Sequence, residues 1–63
     1  MGQAFYGDGF RADWYPLGPT DAREHAPYTH EVTLWHGGEP VAWDVCHASD
    51  CEATANRLHV IAL

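Results

Sequence analysis

The sequence predicts a small α+β domain, an antiparallel sheet of two to four strands with one C-terminal helix packed on one face. Three observations predict it. Residues 28–36 and 41–47 alternate apolar with polar side chains on either side of Gly37-Gly38-Glu39-Pro40, as the arms of a hairpin do. Ser49-Asp50-Cys51-Glu52 has a capping-box pattern and opens a run with apolar residues at helical spacing. The 63 residues allow a single domain, 1–63, near the size where one core only just offsets the conformational entropy of folding.

The first part of the chain, residues 1–27, is aromatic-rich and interrupted by glycine and proline too often for a long element, so it reads as irregular. Within it, Gly7-Asp8-Gly9 lies between Ala4-Phe5-Tyr6 and residues 10–15. Asp and Gly both tolerate positive φ, so these residues mark a first small hairpin. Thr20 stands where an N-cap would, before one helical turn of Asp21-Ala22-Arg23-Glu24. Pro27 ends that turn and pushes Ala26 toward an extended conformation.

Residues 28–63 read as hairpin plus helix. In the first strand Tyr28, His30, Val32, Leu34 and His36 share one face, with Thr29, Glu31, Thr33 and Trp35 opposite; in the second, Val41, Trp43, Val45 and His47 share a face, with Ala42, Asp44 and Cys46 opposite. A two-residue loop at Gly37-Gly38 and a four-residue loop of residues 37–40 both keep the two apolar faces together. The shorter one sets Glu31 opposite Asp44 and draws Pro40 into the ladder without a donor. The longer loop is therefore expected, pairing Leu34 with Trp43, Val32 with Val45 and His30 with His47. In the helix, Cys51, Ala55, Leu58 and Ala62, joined by Thr54 and Ile61, form the stripe that covers this Val32/Leu34/Trp43/Val45 face. Arg57 and His59 suit the negative end of the helix dipole.

Charge narrows the function. Nine acidic residues and three arginines give a net charge of −6, and a surface that tracks nucleic acid needs clustered cations, so nucleic acid is not an expected partner. No apolar run approaches the ~18 residues of a membrane span, and the N-terminus lacks the basic start and apolar core of a signal peptide; the expectation is a cytoplasmic protein with no membrane partner. In reducing cytosol Cys46 and Cys51 are expected as thiols.

Two chemistries have candidate residues in the sequence. Cys46-His47-x3-Cys51 contains zinc-ligand types, and the alternative reading is a small zinc-stabilised domain using Cys46, His47 and Cys51. Adjacent strand residues project to opposite faces and no second knuckle accompanies the pair, so neither a metal nor another cofactor is expected. A small hydrolase would use His36 or His47 with Asp44, and Ser49 or Cys46 as nucleophile. Nothing in the sequence positions them, and the expectation is no enzyme.

The aromatics remain. Three Trp, three Tyr and two Phe supply most of the burial available to so short a chain, at ~150–250 Å² each. Some complete a second small core over the open face of the hairpin; those left exposed make a partner site, because Trp and Tyr are enriched in binding hot spots. Trp14, Tyr15 and Trp35, the aromatics least accounted for by the helix-facing core, are the candidate protein-binding residues. Self-association as a homodimer is a second route to stability.

The segment of residues 41–63, with Trp43-Asp44-Val45-Cys46-His47 followed by Glu52-Ala53-Thr54-Ala55-Asn56-Arg57-Leu58, resembles the ends of short actinobacteriophage accessory proteins. The lysine-free composition, rich in Ala, Gly, Asp, His and Trp, is similar to products of such GC-rich genomes. The resemblance transfers no site. It implies a compact phage protein acting by binding, so the function expected is a non-catalytic protein-binding module engaging a host protein, one of basic character given the acidic surface.

Overall fold

In the computed structural model, which describes residues 1–63, the chain first reverses at Gly7-Asp8-Gly9. Gly9 takes φ 89°, affordable only without a Cβ, and the Asp8 carboxylate accepts a hydrogen bond from the Phe10 N–H at 3.4 Å. The reversal pairs β1 (Gly2–Phe5) with β2 (Phe10–Pro16), Ala4 opposite Ala12. The first hairpin is as expected. The stretch read as irregular therefore contributes two strands to the sheet, and also a short helix, α1 (Pro19–Glu24). That helix starts at Gly18 with Pro19 as its first residue, and Thr20 does not cap it. Proline suits the first helical position because its missing N–H would have been unpaired there in any case.

The strand β3 (His30–His36) returns antiparallel to β2, with Trp14 opposite Val32 and Ala12 opposite Leu34. A two-residue turn follows, both Gly37 and Gly38 at positive φ, and leads into β4 (Glu39–Cys46). The four strands lie in chain order, β1-β2-β3-β4.

The four-residue loop expected from charge pairing is not formed, because the ladder contains a bulge. His36 lies opposite Glu39 and Trp35 opposite Pro40, but Leu34 lies opposite Ala42, which leaves Val41 as the extra residue. One inserted residue exchanges the two faces of everything beyond it. Ala42, Asp44 and Cys46 turn toward the helix beside Val32 and Leu34, while Trp43 and Val45 turn to the other side, where Trp43 is 59% exposed. The Glu31–Asp44 clash disappears by the same shift: Asp44 lies opposite Val32 and pairs with Arg57.

The last element, α2 (Cys51–Ala62), is preceded by a single 3₁₀ turn over Ala48–Asp50. The capping box at Ser49 is not used. The N-cap lies one residue later, at Asp50, with no side-chain capping bond, and the Asp50 N–H donates to the His47 carbonyl at 2.9 Å in the 3₁₀ turn. Cys51, Thr54, Ala55 and Leu58 are buried at helical spacing, but Ile61 and Ala62, expected to continue the stripe, are exposed. Ala12, Val32, Leu34 and Cys46 of the sheet meet Cys51, Ala55 and Leu58 of α2 in the core, flanked by Tyr6, Phe10, Trp14 and Ala42. The alanines at its centre, Ala12 and Ala55, are fully buried and allow the helix close to the strands. No helix is long and apolar enough to cross a membrane.

Polar contacts tie α2 to the rest of the fold at two places, β4 and the β1–β2 turn. Arg57 donates to Asp44 of β4. Toward the far end, Tyr6 donates to Asn56 Oδ1 at 2.7 Å and its ring stacks on His59, whose Nε2 lies 2.9 Å from an Asp8 carboxylate oxygen.

This register predicts where truncation hurts. Leu34→Ala and Leu58→Ala should each cost ~2–5 kcal/mol, Trp43→Ala within ~1 kcal/mol, and Ser49→Ala within ~0.5 kcal/mol of no change. Thermal or urea melts check it. A Trp43→Ala variant as unstable as Leu34→Ala would restore the bulge-free register.

Two aspartates contribute to the acid limb of stability. The hydrogen bond from His59 holds the Asp8 carboxyl below the usual carboxylate range, and that from Arg57 does the same for Asp44. A lowered folded-state pKa means stability that is present above the usual value of about 4 and lost as pH falls through the lowered one. Arg57→Ala should return Asp44 toward its ordinary value and flatten the loss of stability below about pH 4. Denaturant melts across that range, wild type against variant, measure the slope.

Candidate protein-binding face

Alternation along the strands sends every second side chain to the face away from α2. With the observed registers these residues form rows across the sheet: Phe5, Arg11, Trp35 and Pro40 in one; Gln3, Asp13, Thr33 and Trp43 in the next; Tyr15, Glu31 and Val45 in a third. Phe5 is 74% exposed and Tyr15 42%, so the face presents aromatic surface to solvent alongside Trp43.

Its polar groups satisfy one another. The Arg11 guanidinium lies 5.0 Å from the centre of the Trp35 ring and Nη1 is 3.2 Å from Asp13 Oδ2. The same carboxylate accepts from the Trp35 indole N–H at 3.3 Å through Oδ1. In the third row the Tyr15 hydroxyl donates to Glu31 Oε1 at 2.6 Å. Each such surface contact is worth only ~0–1 kcal/mol, so their main effect is to hold the rings in fixed orientations. Thr33, at the middle of the face, is 9% exposed although no helix covers it, because Asp13 and Trp43 stand beside it across the ladders and Glu31 and Trp35 along its own strand.

Two of the three expected site residues, Tyr15 and Trp35, lie on this face. Trp14 lies on the other. It stands opposite Val32, half-buried against the core, and its indole crosses Gly2 so closely that a Cβ there would collide with it. Phe5 and Trp43 were missed. Unbroken alternation places Trp43 in the core, and the bulge at Val41 reverses it; for Phe5 the signal is its alternation with Ala4 and Tyr6 once β1 is a strand.

The other candidate residues do not converge. The Cys46 and Cys51 sulfurs lie 3.5 Å apart inside the core, whereas His47 is exposed and its ring packs 5.1 Å from that of Tyr28. No group of three or more His, Cys, Asp or Glu side chains is arranged to hold a metal ion. Asp44 is engaged by Arg57, His36 packs against Phe10 with ring centres 4.3 Å apart, and Ser49 lies exposed in the 3₁₀ turn, so no nucleophile, base and carboxylate come together from this set.

No family model matches the chain, and no curated protein or solved structure matches it at a significant level.

The bond between Tyr15 and Glu31 has a measurable signature. Donation to Glu31, with burial and the carboxylate charge adding to it, raises the Tyr15 pKa above the ordinary tyrosine value. A raised pKa means that the stability from this pair is complete below the usual value of about 10 and lost as pH rises through the raised one. Glu31→Gln should bring the Tyr15 ionisation back toward about 10, read from the pH dependence of its ring resonances. An unchanged titration would show that the carboxylate does not hold the phenol.

Proposed function

We propose that this chain is a non-catalytic protein-binding module that engages its partner through the open face of the sheet. One observation carries the reading: Phe5, Tyr15 and Trp43 are exposed on the sheet face away from α2, around a half-buried Trp35, and polar contacts hold Tyr15 and Trp35 in place. Rigid aromatics of this kind are the usual centres of binding hot spots. Asp13 and Glu31 outnumber Arg11 on the face, and the chain as a whole carries −6, so the partner it suits is a protein with a basic surface. The resemblance to actinobacteriophage accessory proteins supports a bacterial host protein as that partner, met in the host cytoplasm, with a homodimer through the same face as a competing use of the surface.

The test is affinity measured on a partner captured from an actinobacterial host and then purified. Phe5→Ala and Trp43→Ala should each weaken binding about tenfold or more while leaving the melting temperature nearly unchanged. Glu52→Ala, on the exposed side of α2, should bind as the wild type does. Sedimentation of the same variants reports on self-association. Full binding by both aromatic variants would remove the open face as the interface.

A further inference from the structure

We infer that Cys46 and Cys51 form a latent intramolecular disulfide pair, which a small-molecule disulfide of the glutathione type converts into a bridge clamping the end of β4 to the first turn of α2. This goes beyond the binding role and does not depend on it. Four observations carry it. These are the only two cysteines in the chain, and both are free and buried. Cys46 is the last residue of β4 and Cys51 the first of α2, so the bridge would join the sheet to the helix that covers it. Their sulfurs face each other at 3.5 Å, and the one other polar contact of either is the distant approach of Cys51 Sγ to the His47 carbonyl at 3.7 Å. The exposed linking residues make a tight 3₁₀ turn that already holds the two positions together.

A disulfide is about 2.05 Å long, so the sulfurs must close by about 1.5 Å, shared between two side chains. A single buried thiol is ordinary packing. Two that are the whole thiol content of the chain, with sulfurs already 3.5 Å apart, need only a short approach to bond.

The chemistry balances with a disulfide reagent as oxidant. One protein thiol loses its proton and its thiolate attacks the reagent, releasing one reduced reagent thiol and leaving a mixed disulfide on the protein. The second protein thiol then loses its proton and attacks the protein sulfur of that mixed disulfide, releasing the other reagent thiol. The two protein sulfurs together give up two electrons, and the reagent takes up those electrons and the two protons. Burial, reinforced by the hydrogen bond to Cys46, pushes the Cys51 thiol up to about 11. The first attack is accordingly slow in the closed protein and waits on opening of the β4–α2 corner, whereas the second, between neighbours, is fast.

The experiment equilibrates the folded, reduced chain in mixtures of oxidised and reduced glutathione, followed by acid quench, alkylation and intact-mass measurement. The expected product is a monomer lighter by two hydrogens, with the glutathione adduct minor at every ratio. Its far-UV circular dichroism should match the reduced form and its melting midpoint lie roughly 5–15 °C higher. Cys51→Ser should yield only the adduct at Cys46. Stable adducts without ring closure in the wild type, a disulfide-linked dimer, a bridge that appears only once helical signal is lost, or a bridge that lowers the midpoint would each overturn the inference.

Discussion

One helix can cover only one side of a sheet. At a diameter of about 10 Å it spans roughly two strands spaced 4.8 Å apart, and this sheet has four. That limit fixes the rest of the molecule. The dry core is confined to the strip under α2, where Ala12, Val32 and Leu34 are fully buried, and the flanks of the same side are filled by Tyr6, Phe10 and Trp14. The opposite side receives no covering element, so its side chains must satisfy each other: Arg11 with Asp13 and Trp35, Tyr15 with Glu31.

The same limit separates what the sequence discloses from what it hides. The two hairpins, the order of strand and helix and the stripe Cys51, Thr54, Ala55, Leu58 follow from local spacing, because period and turn chemistry act over a few residues. The faces of β4 do not. Alternation assumes an unbroken ladder, and the bulge at Val41 costs no pattern signal while reversing every assignment beyond it. A regular ladder with the short loop would set Glu31 against Asp44, and the chain avoids that clash by inserting Val41. The Ser49 motif is displaced in turn: a 3₁₀ turn occupies Ala48–Asp50, and the helix starts after it.

The candidate site was legible in part. Tyr15 and Trp35 follow from being aromatics on the side of their strands away from Val32. Trp14 could have been excluded from the sequence alone, since neighbours in a strand point to opposite faces, and Trp14 and Tyr15 cannot share one. The face is also a better docking surface than the rims of the sheet. β1 is only four residues long and β4 carries Pro40, which lacks a donor, so both rims are blunted against the addition of another strand.

The contacts of Tyr6 with Asn56 and of Asp8 with His59 join residues 50 and 51 positions apart. The meander strands can close one short loop at a time, but this clasp needs nearly the whole chain laid down in order, and it pairs exposed Asn56 and Asp8 with half-buried Tyr6 and His59. The clasp thereby couples the Gly7-Asp8-Gly9 turn to residues 56–59 of α2, so that opening either end of the chain gives up the contacts of both.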